Sequence, residues 1–284
     1  MKTKMIYILL IVAAAVLCTV ILARRASTPA PVNTGAPEAE TAVLPIDGNA
    51  APVLVELFTS EGCSSCPPAD DVLARLDEQS NSGAPIIAIG EHVDYWNRLG
   101  WTDPYSSAEF SARQNDYARA FARDDIYTPQ MIVDGRVEFV GSNFARAREE
   151  IIRATRNPKA SVTISIAEGA TARTDTIPLA VRVENLPEIS EGDTADVMLA
   201  ITESRLMSSV SRGENAGRKL THAAAARRLT TIGSVDLQRG AFSAAPVARI
   251  EPDWKRENLK TVVFVQERAS RRVLGAAAVS LNHQ

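Results

Sequence analysis

The chain has 284 residues, of which 45% are hydrophobic and 23% are charged, and its net charge at pH 7 is −3. This composition is typical of a globular protein, and the length is sufficient for two domains of ordinary size. The weakly negative charge argues against a nucleic-acid-binding protein, because such proteins present a strongly basic surface. We therefore predict a globular protein with no nucleic-acid partner. No cofactor is predicted.

An apolar stretch near the N-terminus is the first strong feature of the sequence. Residues 5–23 carry no charged side chain and are about long enough to cross a bilayer core of ~30 Å. A cleaved signal peptide has a similar pattern. However, Ile21 would lie three residues before a cleavage after Ala23, where a small residue is preferred. The sequence predicts an uncleaved signal anchor, with a cleaved signal peptide as the alternative. Both place the rest of the chain across the membrane.

The folded part of the chain contains one pair of cysteines. Residues 24–51 contain scattered prolines and no hydrophobic period, which predicts a disordered tether. Of the three cysteines, Cys18 lies in the apolar stretch. Only Cys63 and Cys66 remain beyond the tether. This is too few for a disulfide framework, so the pair is a candidate for chemistry.

Cys63 and Cys66 lie at the junction between a predicted strand and a predicted helix. Residues 53–58 are apolar and β-rich, and residues 69–78 have apolar side chains at helical spacing. The two prolines directly after Cys66 fit only the first turn of a helix. Since the positive end of a helix favours a thiolate, we predict Cys63 as an exposed attacking thiol and Cys66 as the resolving thiol. Their spacing also permits a disulfide between them.

A second predicted strand, residues 85–92, ends in His92. Strand, helix and strand predict a parallel crossover unit, in which both strands end at the same edge of the sheet. His92 and Asp94 are therefore expected near the cysteines. Because a carboxylate beside a buried thiol can accept its proton, Asp94 is a candidate proton acceptor. Thiolates also bind Cu(I), so Cys63, Cys66 and His92 form an alternative metal-ligand set.

The downstream elements follow from turn and capping signals. In chain order, these elements are a helix with a capping box at Ser106 and Glu109, a strand over 126–133, a hairpin turn at Asp134 and Gly135, a strand over 137–140, and a helix from Asn143 to about Thr155.

This order of elements around a CxxC motif resembles the thioredoxin fold. Within that resemblance, Thr128 and Pro129 match the position of a cis-proline that lies against the CxxC motif and helps to hold a substrate strand. Residues 56–70, ELFTSEGCSSCPPAD, and residues 92–97, HVDYWN, further resemble a family of secreted bacterial thioredoxin-like proteins of unknown function. The resemblance implies substrate-positioning roles for Thr128 and Pro129. It also implies a protein that works outside the cytoplasm.

The pattern changes after residue 158 to short strands with alternating apolar residues. Turn residues separate these strands, which predicts an all-β sandwich domain. A polar, glycine-containing segment over 212–222 is predicted to be a solvated connection, and His222 a surface residue. The predicted strands cover 162–166, 179–183, 197–201, 259–265 and 273–281.

These observations combine into one predicted fold class, an α/β thioredoxin-like domain followed by a β-sandwich-like domain, with an N-terminal transmembrane helix. The predicted parts are a signal anchor or signal peptide at 1–23, a tether at 24–51, a thioredoxin-like domain at 52–158 and a sandwich domain at 159–284.

The favoured function is thiol–disulfide exchange with protein thiols or disulfides in the periplasm, by catalytic Cys63 and Cys66. Residues 5–23 would anchor the protein on the periplasmic side of the inner membrane. After signal cleavage it would instead be secreted or soluble in the periplasm. Two other functions stay open: copper handling, and a non-catalytic binding or assembly module with a static Cys63–Cys66 disulfide.

Overall fold

The structure is a computed structural model that describes Leu44, Ile46 and residues 50–167 and 175–281. The predicted signal anchor at 5–23, and nearly all of the predicted tether, lie outside the described residues. Within the described part of the chain, no helix is both long and apolar enough to cross a membrane. The described residues belong to one compact unit.

The predicted parallel crossover unit is confirmed. Strand β1 spans Val53–Thr59, helix α1 spans Pro67–Asn81 and strand β2 spans Ile86–His92. The two strands pair in parallel with Thr59 beside His92, so both end at the same edge of the sheet. Every residue of both strands is buried, because α1 covers one face of the sheet and other elements cover the opposite face.

The next elements agree with the sequence prediction, except that the strand predicted over 126–133 begins only at Gln130. Asp134 and Gly135 form the predicted hairpin turn with φ values of 50° and 62°. Ser107, one residue after the predicted position, caps the second helix by accepting from the Glu109 amide, and Asn143 caps the third. Strand β3 pairs antiparallel with β1 and with β4. The bounds are Ala108–Ala120 for α2, Gln130–Val133 for β3, Val137–Val140 for β4 and Phe144–Ala154 for α3.

The rest of the chain is built from strands. The five strands predicted after residue 158 are confirmed as parts of β5, β6, β7, β13 and β14, while β8 to β12 lie in segments for which no strand was predicted. Their bounds are Ser161–Ile166 for β5, Thr176–Glu184 for β6, Ala195–Glu203 for β7, Leu206–Ser209 for β8, Lys219–His222 for β9, Ala225–Ser234 for β10, Phe242–Ala244 for β11, Val247–Arg249 for β12, Leu259–Glu267 for β13 and Val273–Ser280 for β14.

The predicted fold class is wrong, because one mixed eight-stranded sheet runs through both halves of the chain. Its strand order is β14-β13-β7-β10-β2-β1-β3-β4. The described residues are mostly β-sheet rather than a separate α/β domain followed by a sandwich. The transmembrane helix of that prediction is not among the described elements.

Gly90 shows how the two halves join. The Gly90 amide donates to the Ala224 carbonyl at 2.8 Å, and Ala225 of β10 pairs with Gly90 of β2. A Cβ at this position would lie 3.2 Å from Leu73 Cδ2 and 3.5 Å from the Ala223 carbonyl oxygen. The glycine therefore lets Leu73 of α1 pack closely against β2 at the point where β10 joins the sheet.

A buried ionic network also connects the halves. Arg113 of α2 donates to Glu56 of β1 at 2.9 Å, to Glu91 of β2 at 3.2 Å and to Gln266 of β13 at 2.9 Å. Burial raises the pKa of Glu91 well above its ordinary value, more than Arg113 lowers it. The network thus holds one guanidinium between two carboxyl groups at the centre of the sheet.

A smaller sheet packs against the strands that the second half of the chain contributes to the large sheet. Strands β5, β6, β11 and β12 form it, and β8 and β9 form a separate hairpin. Strand β6 of the four-stranded sheet alternates strictly between buried and exposed residues, as expected for a strand with one face in a core. The shared core includes Leu179, Val181, Val183, Val197, Leu199, Ile201, Val263 and Val265.

Candidate functional site

The predicted disulfide is present at the start of α1. Cys63 and Cys66 are bonded, with their Cα atoms 5.4 Å apart, and Cys66 is the N-cap of the helix. Because Pro67 and Pro68 have no N–H group, this helix end offers fewer free donors than an ordinary N-terminus. The polar side chain that contacts Cys63 Sγ is the Ser65 hydroxyl, at 3.3 Å. Ser65 is thus placed to stabilise a Cys63 thiolate.

Both cysteines are fully buried, at 0% exposure. We predicted Cys63 at an exposed tip, and that prediction is wrong because residues 210–218 cover it. This segment, called here the β8–β9 loop, connects the two strands of the separate hairpin. The Asn215 amide group donates to the carbonyl oxygens of Glu61 and Cys63, each at 2.9 Å. The segment predicted to be a solvated connection therefore packs over the cysteine motif.

A second residue of the β8–β9 loop bonds to the motif itself. Glu214 Oε2 accepts from the Ser64 amide at 2.9 Å and from the Ser64 hydroxyl at 2.7 Å. Both hydrogen bonds lower the pKa of Glu214, and the bond from the Ser64 hydroxyl has the larger effect. A carboxylate consequently lies directly over the residues between the two cysteines.

Asp70 is a buried carboxyl group one turn into α1. It lies four residues after Cys66, and its amide donates to the Cys66 carbonyl at 3.1 Å, so the two residues share a helix face. Its Oδ1 accepts from the Thr59 hydroxyl at 2.7 Å. Burial raises the pKa of Asp70 to about 7, although His222 and the Thr59 bond act in the opposite direction. Asp70 can therefore gain or lose a proton near neutral pH.

Two histidine–carboxylate pairs adjoin Asp70. His92 Nδ1 lies 2.7 Å from Asp103 Oδ2, and His222 Nε2 lies 2.8 Å from Glu61 Oε1. The two imidazole rings meet edge to face, with their centroids 4.7 Å apart. Burial would raise the pKa of Asp103, but the charge and hydrogen bond of His92 hold it below its ordinary value.

His222 is 4% exposed, so its prediction as a surface residue is wrong. Its Nδ1 is buried and has no hydrogen-bond partner among the described residues. Asp70, His92 and His222 line one small cavity beside the ends of β1 and β2. The cysteine motif therefore lies next to a buried cluster of titratable side chains.

Asp94, the predicted candidate proton acceptor, bonds to Ser111 of helix α2. Its carboxylate accepts from the Ser111 hydroxyl, and its amide donates to the same oxygen at 3.1 Å. Asp94 thus ties the end of β2 to helix α2.

Trp96 lies between Thr128 and the loop that carries the cysteines. The peptide bond between Thr128 and Pro129 is cis. Trp96 Nε1 donates to Thr128 Oγ1 at 2.8 Å. A Cβ at Gly62 would lie 3.1 Å from Trp96 Cβ, so Trp96 contacts the residue before Cys63. Trp96 therefore connects the Thr-Pro segment with the cysteine motif.

The alternative copper ligands gain no support from this geometry. His92 Nδ1 is engaged with Asp103. Across residues 50–167 and 175–281, no group of three or more His, Cys, Asp or Glu side chains is arranged to hold a metal ion.

Sequence reasoning missed Asp70, Asp103, His222, Glu214 and Asn215 as site residues. Asp70 had a local signal, because a residue four positions after Cys66 shares its helix face. The other contacts depend on long-range folding. For example, His222 and Glu61 are separated by 161 positions in the chain.

Residues 54–266 match a family model described as "Protein of unknown function (DUF1223)". No curated protein shows significant similarity to the chain. The crystal structure of protein AGR_C_4864 from Agrobacterium tumefaciens is 26% identical to the chain, with a TM-score of 0.65, covering 83% of this chain and 96% of that one. A domain of the outer membrane lipoprotein Omp28 from Porphyromonas gingivalis is 15% identical and covers 45% of this chain and 91% of that one. Its TM-score of 0.27 supports no argument. Since the matched residues span most of the sequence, the chain belongs to the DUF1223 family.

Proposed function

We propose that this protein carries out thiol–disulfide exchange through Cys63 and Cys66. The observation that carries the proposal is the combination of a disulfide at a helix N-terminus with Asp70 one turn along the same helix. A carboxyl group whose pKa is about 7 matches what general acid–base chemistry at a thiol requires near neutral pH. Structural disulfides need no such group.

The exchange begins when the thiolate of a partner dithiol attacks Cys63 Sγ. A bond forms between the partner sulfur and Cys63, the Cys63–Cys66 bond breaks, and its electron pair leaves with Cys66. The Cys66 thiolate then takes up a proton. The second thiol of the partner attacks its own sulfur in the mixed disulfide and releases Cys63. The partner is oxidised by two electrons and the protein is reduced by two.

Asp70 is the proposed proton carrier for Cys66. When Cys66 leaves as a thiolate, a protonated Asp70 supplies the proton. In the reverse reaction, an ionised Asp70 accepts the proton of the Cys66 thiol and so generates the attacking thiolate. The carboxyl pKa of about 7 lies near an ordinary thiol pKa of about 8.5, so proton transfer between Asp70 and Cys66 is not strongly unfavourable in either direction.

A relationship to the thioredoxin superfamily and an extracytoplasmic location are part of the proposal. The first is supported locally, by the parallel pairing of β1 and β2 around α1 and by the antiparallel β3 and β4. The relationship to this superfamily would give Thr128 and Pro129, which precede β3, a role in positioning a substrate strand. The location is supported by the closed cysteine pair, since oxidising compartments maintain disulfides.

A second candidate is a non-catalytic binding or assembly module with a static disulfide. The observation that favours it is the complete burial of both cysteines beneath Asn215. A static disulfide resists thiols whatever their size, whereas an exchanging disulfide forms a mixed disulfide through one defined cysteine.

The test uses Cys66→Ser and Cys63→Ser variants of the full chain. Each variant is incubated with a cysteine-containing peptide activated as a mixed disulfide, and the covalent product is measured by mass spectrometry. We expect Cys66→Ser to accumulate a stable mixed disulfide at Cys63 and Cys63→Ser to react at least tenfold more slowly. Failure of both variants to react, while each remains folded, would refute exchange and favour the static module.

A further inference from the structure

We infer that the β8–β9 loop is a gate over the disulfide, and that Glu214 and Asn215 determine which thiols reach Cys63. The inference rests on the proposed exchange function, because a gate matters only at a disulfide that reacts. It commits the site to one class of partner, an extended polypeptide segment that carries a cysteine, and it excludes small anionic thiols.

Asn215 closes the gate by hydrogen bonding to the main chain. Its side chain is 1% exposed and donates to the carbonyl oxygens on both sides of Gly62, those of Glu61 and Cys63. Its own Oδ1 accepts from Arg218 Nη1 at 2.8 Å. The amide is therefore fully used when the loop is closed, and water can replace these partners when the loop opens.

Glu214 adds a charge to the same barrier. Its carboxylate is held over the motif by the amide and hydroxyl of Ser64, which lies between the two cysteines. A fixed negative charge there repels an approaching thiolate, and it repels an anionic thiol such as glutathione more strongly. It also disfavours a second negative charge on Cys63 after reduction. The closed position of the β8–β9 loop is thus favoured while the Cys63–Cys66 disulfide is intact.

The loop is built to move without unfolding its surroundings. Strands β8 and β9 hold its ends, and the Gly217 amide bonds to the Val210 carbonyl at 2.8 Å across its base. Gly213 has a φ of 76°, which allows the tip to turn beside Trp101. Two adjacent side chains supply the hydrogen bonds to the motif, so displacing them opens the site.

An extended polypeptide has main-chain hydrogen-bonding groups that can replace the side-chain groups of Glu214 and Asn215. Its carbonyl groups can accept from the Ser64 amide, and its N–H groups can donate to the carbonyls of Glu61 and Cys63. Such a partner replaces the bonds that it breaks. Glutathione is too short to replace them all and carries net negative charge.

The experiment compares two reductants on the oxidised full-length protein. One reductant is glutathione, and the other is a neutral unstructured peptide of about twelve residues with one central cysteine. Disulfide reduction is followed by alkylation and mass spectrometry for the wild type and for Asn215→Ala, Glu214→Gln and the double variant. Glu191→Gln, which changes an exposed glutamate in another connection, is the matched control.

We expect the double variant to react about ten- to a hundredfold faster with glutathione than the wild type, from the loss of several hydrogen bonds. Its rate with the peptide should change less than threefold, and Glu191→Gln should match the wild type. Equal glutathione rates in the wild type and double variant, or equal acceleration with both reductants, would overturn the gate and leave exchange intact. A disulfide that resists both reductants even in the double variant would overturn the proposed function itself.

Hydrogen exchange provides a second measurement, in which Cys66→Ser holds the peptide on Cys63 as a stable mixed disulfide and is compared with the oxidised wild type. The amides of residues 213–217 are expected to exchange at least fivefold faster when Cys63 carries the peptide as a mixed disulfide. Unchanged exchange in that adduct would contradict the gate.

Discussion

Asp70 should make the stability of this protein fall as pH rises, and Asp70→Asn should remove that dependence. The pKa of the buried carboxyl is raised by desolvation from 3.8 to about 7. Between these values the native state keeps a proton that the unfolded chain has released. The contribution of Asp70 to the free energy of unfolding therefore decreases from about pH 4 to about pH 7 and is constant above that window.

The magnitude follows from the two pKa values. Their difference of about 3 corresponds to about 4 kcal/mol, at about 1.4 kcal/mol per pH unit. Asparagine is neutral at every pH and keeps an oxygen that can accept from the Thr59 hydroxyl, which donates to Asp70 at 2.7 Å. We expect Asp70→Asn to match the wild type within about 1 kcal/mol at pH 4 and to exceed it by up to about 4 kcal/mol at pH 8.

The assay is urea denaturation of the oxidised protein at pH values from 4 to 8. The quantity of interest is the difference between the unfolding free energies of Asp70→Asn and the wild type, because titrating groups that do not interact with Asp70 cancel in it. Asp71→Asn is the control, since Asp71 is the exposed neighbour on the same helix. A difference between Asp70→Asn and the wild type that stays flat across the pH range would refute a raised pKa at Asp70.

Three further substitutions test separate parts of the structure. Ser65→Ala should slow iodoacetamide alkylation of the reduced motif at pH 7 about two- to fivefold, because one hydrogen bond to sulfur is lost, while Ser64→Ala should not. Arg113→Met should lower the unfolding free energy by about 3–5 kcal/mol in urea, because Glu56 stays buried without its charge partner; adding Glu56→Gln should restore part of the loss. Gly90→Val should cost about 1–3 kcal/mol by overpacking, and an unchanged melting curve would contradict the close packing of Leu73 against Gly90.

Local patterns were sufficient for much of the first half of the fold. Strand β1 was predicted from apolar residues, the hairpin turn from Asp134 and Gly135, and helix α3 from the Asn143 cap. Each signal lies within a few residues of the element that it specifies. The sequence also located the disulfide correctly, because Pro67 and Pro68 restrict the motif to the first turn of a helix.

The joined sheet was not predictable from such patterns. Its key contact pairs Gly90 with Ala225, 135 positions later in the chain. The alternating strands after residue 158 indicate one buried face but not which sheet they join. A sandwich and an extension of the first sheet satisfy that pattern equally well.

The candidate site was incomplete for the same reason. Asn215 and His222 occur in a polar, glycine-containing stretch that is typical of a surface loop. They become site residues only because the β8–β9 hairpin folds over the cysteine motif. Asp94 was the predicted proton acceptor because it follows the end of β2, whereas the burial that raises the pKa of Asp70 could not be read from the sequence.

The reduction potential of the Cys63–Cys66 pair tests the central claim most directly. It is measured by equilibrating the full-length protein with glutathione or dithiothreitol redox buffers and counting free thiols. Exchange proteins have potentials of about −120 to −270 mV, and this account predicts a value in that range. A potential below about −300 mV, typical of static structural disulfides, would contradict it.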